Sequence, residues 1–294
     1  VSARFVVGYT ANEHGADALA LATRLAAASE ALLDVVMVLP SEARSSTVPS
    51  DVGYERHLKE RSRAWLTEAS KGLDPDVAQS LHVRYAESFA EGLISAAHEF
   101  GASLIVVGAA RGGILGRSRI GSVANELLHS SDVPVALAPS GSRELAASVG
   151  ISRITAAVGS RPGASALLDA AVRLSKAMHA PVRLLSLASI DLPAGMDEGL
   201  AELTSTAHAD EVLAAARREL PATTDVSVAV ATGDSIEAAV RSLDWHRGEV
   251  VLVASSRLAR PQHLFLGSTA SKMIRELPVP MIVVPRTSSR RTAS

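Results

Sequence analysis

The sequence predicts an α/β protein of two tandem domains, each a five-stranded parallel sheet with helices on both faces. Three observations carry that expectation. The chain has 294 residues, 47% of them apolar and 20% charged, a globular balance with length for about two domains. A repeat runs through it at a constant offset of 146: residues 104–111 return as 250–257, Gly121-Ser122-Val123-Ala124 as Gly267-Ser268-Thr269-Ala270, and 134–139 as 280–285. A unit of that length is a whole domain, since solenoid repeats are far shorter. Within each copy, short Val/Ile/Leu runs alternate with longer helical patterns, and uninterrupted apolar strands need a sheet covered on both faces.

The elements follow in order. In the first copy, strands are expected over 4–9, 34–39, 80–86, 104–108 and 134–138, and helices over 15–29, 55–71, 89–100 and 123–130. The second copy has strands at 154–158, 182–187, 226–231, 250–254 and 281–284, with helices at 164–179, 198–220, 236–246 and 268–276. Glu55 and Lys59 have the i,i+4 spacing of a solvated helix face. Ser88 stands three residues before Glu91, the spacing of a capping box, and its counterpart is Ser235. Gly101 and Gly248 stand where the helices after these caps should stop. Lone histidines at helix ends, such as His179 and His246, read as capping or dipole partners. The fifth strand of each copy lies between prolines, Pro134/Pro139 and Pro280/Pro285, which marks short edge strands able to pair with each other. Domain 1 is expected over 1–141, a glycine- and serine-containing linker over 142–150, domain 2 over 151–286, and a disordered basic tail over 287–294. Segments 41–50 and 189–199 read as loops after the second strands.

Composition narrows the function classes. A net charge of -2, split as -4 over 1–150 and +2 over 151–294, gives no overall field for nucleic acid or an anionic membrane. Nine aromatic residues are too few for a base-stacking platform. The absence of cysteine excludes disulfides, thiolate metal sites and cysteine nucleophiles. No apolar run reaches the roughly 20 residues of a bilayer span, and no signal peptide is readable from Val1 onward, so a cytoplasmic protein is expected. The nine histidines are scattered without metal-ligand spacing, and no P-loop, no G-x-G-x-x-G after a first strand and no nucleophile elbow occurs.

The informative stretch is 108–122, with five glycines and Arg111, Arg117 and Arg119, ending where a helix begins. Glycines let the backbone approach a ligand closely, and a helix N-terminus favours an anion. The position, beyond the carboxyl end of a strand, is where open α/β sheets bind ligands. One reading is a phosphate cradle using main-chain N–H groups and the Ser122 hydroxyl; the other is an exposed loop whose glycines serve turns and whose arginines serve solubility.

Gly108, Arg111 and Gly121-Ser122 have the spacing of the signature G-x2-G-x9-G-(S/T), and on these residues and the proline-flanked fifth strands the chain resembles a tandem member of the universal stress protein family over essentially its whole length. The resemblance implies strand order 3-2-1-4-5 in each sheet and pairing of domains through the fifth strands, with a homodimer as a further possibility. It implies, from one branch of the family, an adenine nucleotide, ATP, held across the ends of strands one and four, which places Thr10, Val38, Gly108, Arg111, Gly121, Ser122 and Val123 at the site. Departures confine that expectation to domain 1. Arg111 replaces the second signature glycine, and Thr10 stands where that branch has an aspartate. In copy two, Ala254 and Arg257 replace both signature glycines, Gly159 takes the aspartate corner, and only Gly267-Ser268 is kept. Arg111 and Arg257 either hold an anion or fill a site that has lost its ligand. The expected role is therefore binding or regulation in the stress response without catalysis beyond slow ATP hydrolysis. The alternatives are a nucleotide-independent protein-interaction module and, more remotely, an adenylating enzyme of related fold.

Overall fold

The structure is a computed structural model and describes residues 2–41, 52–111, 118–159, 164–189, 198–256 and 263–285, without the side chains of 52–55, 111, 118, 119, 188, 189 and 198–205. Domain 1 contains β1 (Arg4–Gly8), α1 (Glu13–Ser29), β2 (Leu32–Pro40), α2 (Val52–Lys71), β3 (Gln79–Ala86), α3 (Phe89–Phe100), β4 (Leu104–Gly108), two short strands β5 (Ala110–Arg111) and β6 (Ser118–Arg119), α4 (Ser122–Ser130) and β7 (Val135–Ala138). Domain 2 contains β8 (Arg153–Ala157), α5 (Ala164–Met178), β9 (Val182–Ser189), α6 (Glu198–Glu219), β10 (Val226–Gly233), α7 (Ile236–Arg241), β11 (Glu249–Ala254), α8 (Ser268–Met273) and β12 (Met281–Val284).

The strands form one ten-stranded sheet in the order β10-β9-β8-β11-β12-β7-β4-β1-β2-β3. Each half therefore has the expected order, third, second, first, fourth, fifth. Pairing is parallel within each half, and the fifth strands join antiparallel, with Met281 opposite Leu137, Ile282 opposite Ala136 and Val283 opposite Val135. The edge strands of the separate domains thus become the middle of the whole sheet. Helices α1, α2, α5 and α6 cover one face around Leu25, Leu66, Leu167 and Leu184; α3, α4, α7 and α8 cover the other around Leu93, Leu127, Val240 and Met273. Both apolar layers continue across the junction, where α1 packs against α5 and Leu264 N donates to Ser131 O at 2.7 Å.

Local capping follows the sequence at several points. Ser88 Oγ accepts from Glu91 N, Ser235 Oγ accepts from Ala238 N, and Gly101 ends α3 in the left-handed region at φ 66. His179, at φ 53, terminates α5, with its Nδ1 3.1 Å from Lys176 O.

Other expectations are corrected. Helix α7 ends at Arg241 and not at 246, and Gly248 lies in the turn before β11. Trp245 Nε1 donates to Val240 O, and Asp244 O accepts from Arg153 and Arg183, which draws residues 243–248 out of helical geometry. His246 accordingly caps no helix, and its N–H donates to Glu249 Oε2. Helix α8 stops at Met273 and not at 276; the bond from Arg275 N to Lys272 O shows the tightened turn ahead of Pro278. Beyond the fifth strand of domain 1, the linker expected over 142–150 contains two 3-10 turns, Ser142–Glu144 and Ala147–Val149. The buried Asp17 carboxylate of α1 accepts from Gly141 N and Arg143 N, while Arg24 donates to Ser142 O and Leu145 O. Residues 42–50 of the first proposed loop, 190–197 of the second and the whole tail 287–294 lie outside the described residues. No helix among the described residues is long and apolar enough to cross a membrane.

Candidate functional site

In domain 1 a crevice of about 250 Å³ opens at the carboxyl ends of β1 and β4. It brings together five of the seven residues singled out from the sequence: Thr10, Gly108, Gly121, Ser122 and Val123. Val38 is not among them; it is 8% exposed in the α3-side core, where a Cβ on Gly92 would meet its methyl at 2.6 Å. Arg111 is present through its backbone, which pairs with Ser118 in the β5–β6 ladder, while its side chain lies outside the described residues together with Arg117.

The N-cap of α4 is Gly121, with no side-chain cap. The N–H groups of Ser122, Val123 and Ala124 find no acceptor among the described residues, so the positive end of a nine-residue helix faces the crevice. Opposite it, Thr10 Oγ1 donates to Asn12 Oδ1 at 2.9 Å, and the same oxygen accepts from Gly15 N to cap α1. His14 Nδ1 is buried, lacks a hydrogen-bond partner among the described residues and belongs to a residue that lines the crevice. The glycines do different work from that expected of a ligand cradle. A Cβ at Gly108 would fall 2.2 Å from His14 O, and one at Gly15 would fall 1.9 Å from Thr10 O. Gly108 therefore admits the backbone of α1 over β4, whereas Gly121 is the glycine that faces the opening, with a Cβ there meeting only Ala110 Cβ at 3.3 Å.

An adenine nucleotide fits this crevice in part. The uncapped start of α4 suits a phosphate. Its volume of about 250 Å³ is below the roughly 300 Å³ at which small-molecule pockets begin, and Tyr9 and Met37 nearby at the ends of β1 and β2 pack into the core and do not line it. Burial also pushes the Tyr9 hydroxyl above its ordinary pKa.

Domain 2 carries the corresponding crevice, and at about 340 Å³ it is the larger of the two. Val158, Leu167, Ser186, His208, Val253 and Gly267 are among its lining residues, and Arg257 lies outside the described residues. Sequence reading missed Ser186 and His208 because it weighed the signature loop alone. Aligning the second strands shows the signal: Met37 and Ser186 hold equivalent positions. Among the described residues no group of three or more His, Asp or Glu could hold a metal ion.

A family model for the universal stress protein family matches residues 3–139 and again 150–285. A universal stress protein of Mycobacterium tuberculosis is 30% identical over 295 residues, which cover 95% of this chain and 99% of that protein, and one from Mycobacterium bovis matches to the same extent. A solved universal stress protein from Archaeoglobus fulgidus superposes with a TM-score of 0.66 at 18% identity, over 97% of this chain and 98% of that one. A protein of unknown function from Pseudomonas aeruginosa gives 0.60 at 14% identity, over 97% and 93%. At these identities the two structures show a shared fold.

Proposed function

Because the chain belongs to the universal stress protein family, we propose that it serves the stress response as a non-catalytic binding and regulatory protein whose domain 1 takes the phosphate-bearing end of an adenine nucleotide. The observation that carries this reading is the uncapped start of α4, set beside Thr10 and Gly108 in one crevice. Ser122, Val123 and Ala124 would hold the phosphates through their N–H groups and the Ser122 hydroxyl, beside Gly121, with His14 available to a neighbouring polar group. The nucleotide supplies a compact polyanion, which the helix dipole complements. Domain 1 is taken as 1–141 and domain 2 as 151–286, joined by 142–150.

A second reading, a nucleotide-independent role through protein contacts, is favoured by the small volume of the crevice, about 250 Å³. Calorimetric titration with ATP, together with the melting temperature, separates the two. Saturable binding that raises the melting temperature and is weakened in Gly121→Ala with Ser122→Ala supports the nucleotide. No binding at millimolar ATP, or equal binding in the variant, leaves the protein-contact reading. Release of pyrophosphate with a carboxylic acid substrate would instead indicate an adenylating enzyme.

A further inference from the structure

A further pocket lies where the two domains meet. Because β7 and β12 run antiparallel, the carboxyl end of β7 meets the amino ends of β11 and β12, and a space of about 290 Å³ is left there. Domain 1 contributes Leu21 and Arg24 of α1 and the turns that follow Pro139; domain 2 contributes Ile151, the turn 245–250 and Val279. The lining residues and their neighbours along the chain are all among the described residues. Neither domain forms this pocket alone.

The most buried cation in its lining is Arg24, 3% exposed. Both hydrogen bonds that this side chain makes with described residues leave from Nη1, to Ser142 O at 2.9 Å and Leu145 O at 3.2 Å, and it forms no ion pair with any of them. The Asp17 carboxylate acts on it through space only, being bonded to Gly141 N, Arg143 N and the Arg143 guanidinium. Burial pushes the Arg24 guanidinium below its ordinary pKa, and the charge of Asp17 opposes that shift. A guanidinium carries five donors in a planar fork, so one that gives a single nitrogen to two carbonyls can still take a carboxylate. Of the two acids in the lining, Glu249 already has Arg153 and Arg183 as partners, and Glu144 is exposed. Arg247, also exposed, adds a second positive charge. The rest of the lining mixes the Ser140 and Ser142 hydroxyls with Leu21, Ile151 and Val279, and the volume, close to the roughly 300 Å³ at which small-molecule sites begin, keeps the ligand small. We infer that the junction between the domains binds a small monocarboxylate with an apolar body, its carboxylate paired with Arg24 and its body against Ile151 and Val279. This site shares no residue with the domain 1 crevice and does not rest on the nucleotide reading.

The test is titration of the full chain with benzoate, and with benzamide as the uncharged molecule of similar shape, followed through the tryptophan indole N–H signals in NMR. The chain has two tryptophans, of which Trp245 lines the pocket and Trp65 does not, so Trp65→Phe assigns the signals. Saturable binding of benzoate that shifts the Trp245 signal is expected, with benzamide about tenfold weaker or more. Arg24→Met weakens benzoate about ten- to hundredfold, the range for hydrogen bonds to a charged group. Arg247→Ala, at an exposed position, changes it less than about fivefold. Circular dichroism and the melting temperature verify the fold of Arg24→Met; if it does not fold, the benzamide comparison and the Trp245 shift in the unaltered chain decide. Gly121→Ala with Ser122→Ala leaves benzoate affinity unchanged, which separates this site from the start of α4. Failure of benzoate to shift Trp245 at millimolar concentration, equal affinity for benzamide, indifference to Arg24→Met, or loss of binding in the Gly121→Ala, Ser122→Ala variant overturns the inference.

Discussion

Arg183 stands in domain 2 at the strand position that Asp34 holds in domain 1. In domain 1, Asp34 on the second strand takes a two-pronged contact from Arg4 at 2.9 and 2.7 Å, and His82 Nε2 lies 2.9 Å away. In domain 2 the buried carboxylate has moved to the fourth strand as Glu249, bonded by Arg153, Arg183, Thr155 and His246 N. Burial pushes the Arg183 guanidinium below its ordinary pKa, and the charge of Glu249 opposes that shift. Glu249→Ala leaves two arginines without their partner and should cost about 3–5 kcal/mol in urea unfolding at an unchanged m value. Arg183→Met combined with Glu249→Leu should recover part of the loss, because removing both charges leaves less unpaired.

The contact of Asp17 with the interdomain segment predicts a local effect. Asp17→Ala removes the acceptor of Gly141 N and Arg143 N and of the Arg143 guanidinium. The expected cost is about 1–3 kcal/mol, with faster limited proteolysis within 140–150. Cleavage unchanged from wild type would show that the 3-10 turns hold without this anchor.

Two glycine substitutions should behave oppositely. Gly108→Ala forces a methyl against the His14 carbonyl, and backbone cannot move aside cheaply, so a loss of about 1–3 kcal/mol is expected with faster amide exchange in the first turn of α1. Gly159→Ala meets nothing within 4 Å and should stay within about 0.5 kcal/mol of wild type. Equal stability of the two variants would refute the tight seat of α1 on β4.

Alkaline pH should expose Tyr9. Its folded pKa is raised by burial above the ordinary 10.0, so its contribution to stability is complete below that value and is lost as pH rises through the folded pKa. Tyr9→Phe removes the ionisable group and should flatten this part of the stability profile, as followed by denaturant midpoints across the alkaline range. Tyrosinate absorbance from Tyr9 should appear above the ordinary pH of tyrosine ionisation.

The strands were legible because a sheet buried on both faces requires continuous apolar runs, and the fifth-strand junction followed from prolines that mark edges. What stayed hidden depends on contacts distant in sequence. Helix α7 ends early because Arg153 and Arg183, some 60 to 90 residues upstream, bond to Asp244 O. Gly108 carries the signature but is occupied by the backbone of α1, which no local pattern announces. The domain 2 crevice is lined by Val158 and Ser186, which lie outside the loop on which attention falls. The spacing of that loop marks a place in the fold and not how much room lies beside it.

The antiparallel junction of β7 and β12 has a further consequence for mass action. Two separate chains meeting at such an edge would part on dilution, whereas here the partner edge is tethered at a fixed effective concentration by the segment that joins the halves. The pairing is therefore independent of how much protein the cell contains. It also keeps the two halves matched one to one, however far their crevices diverge in sequence.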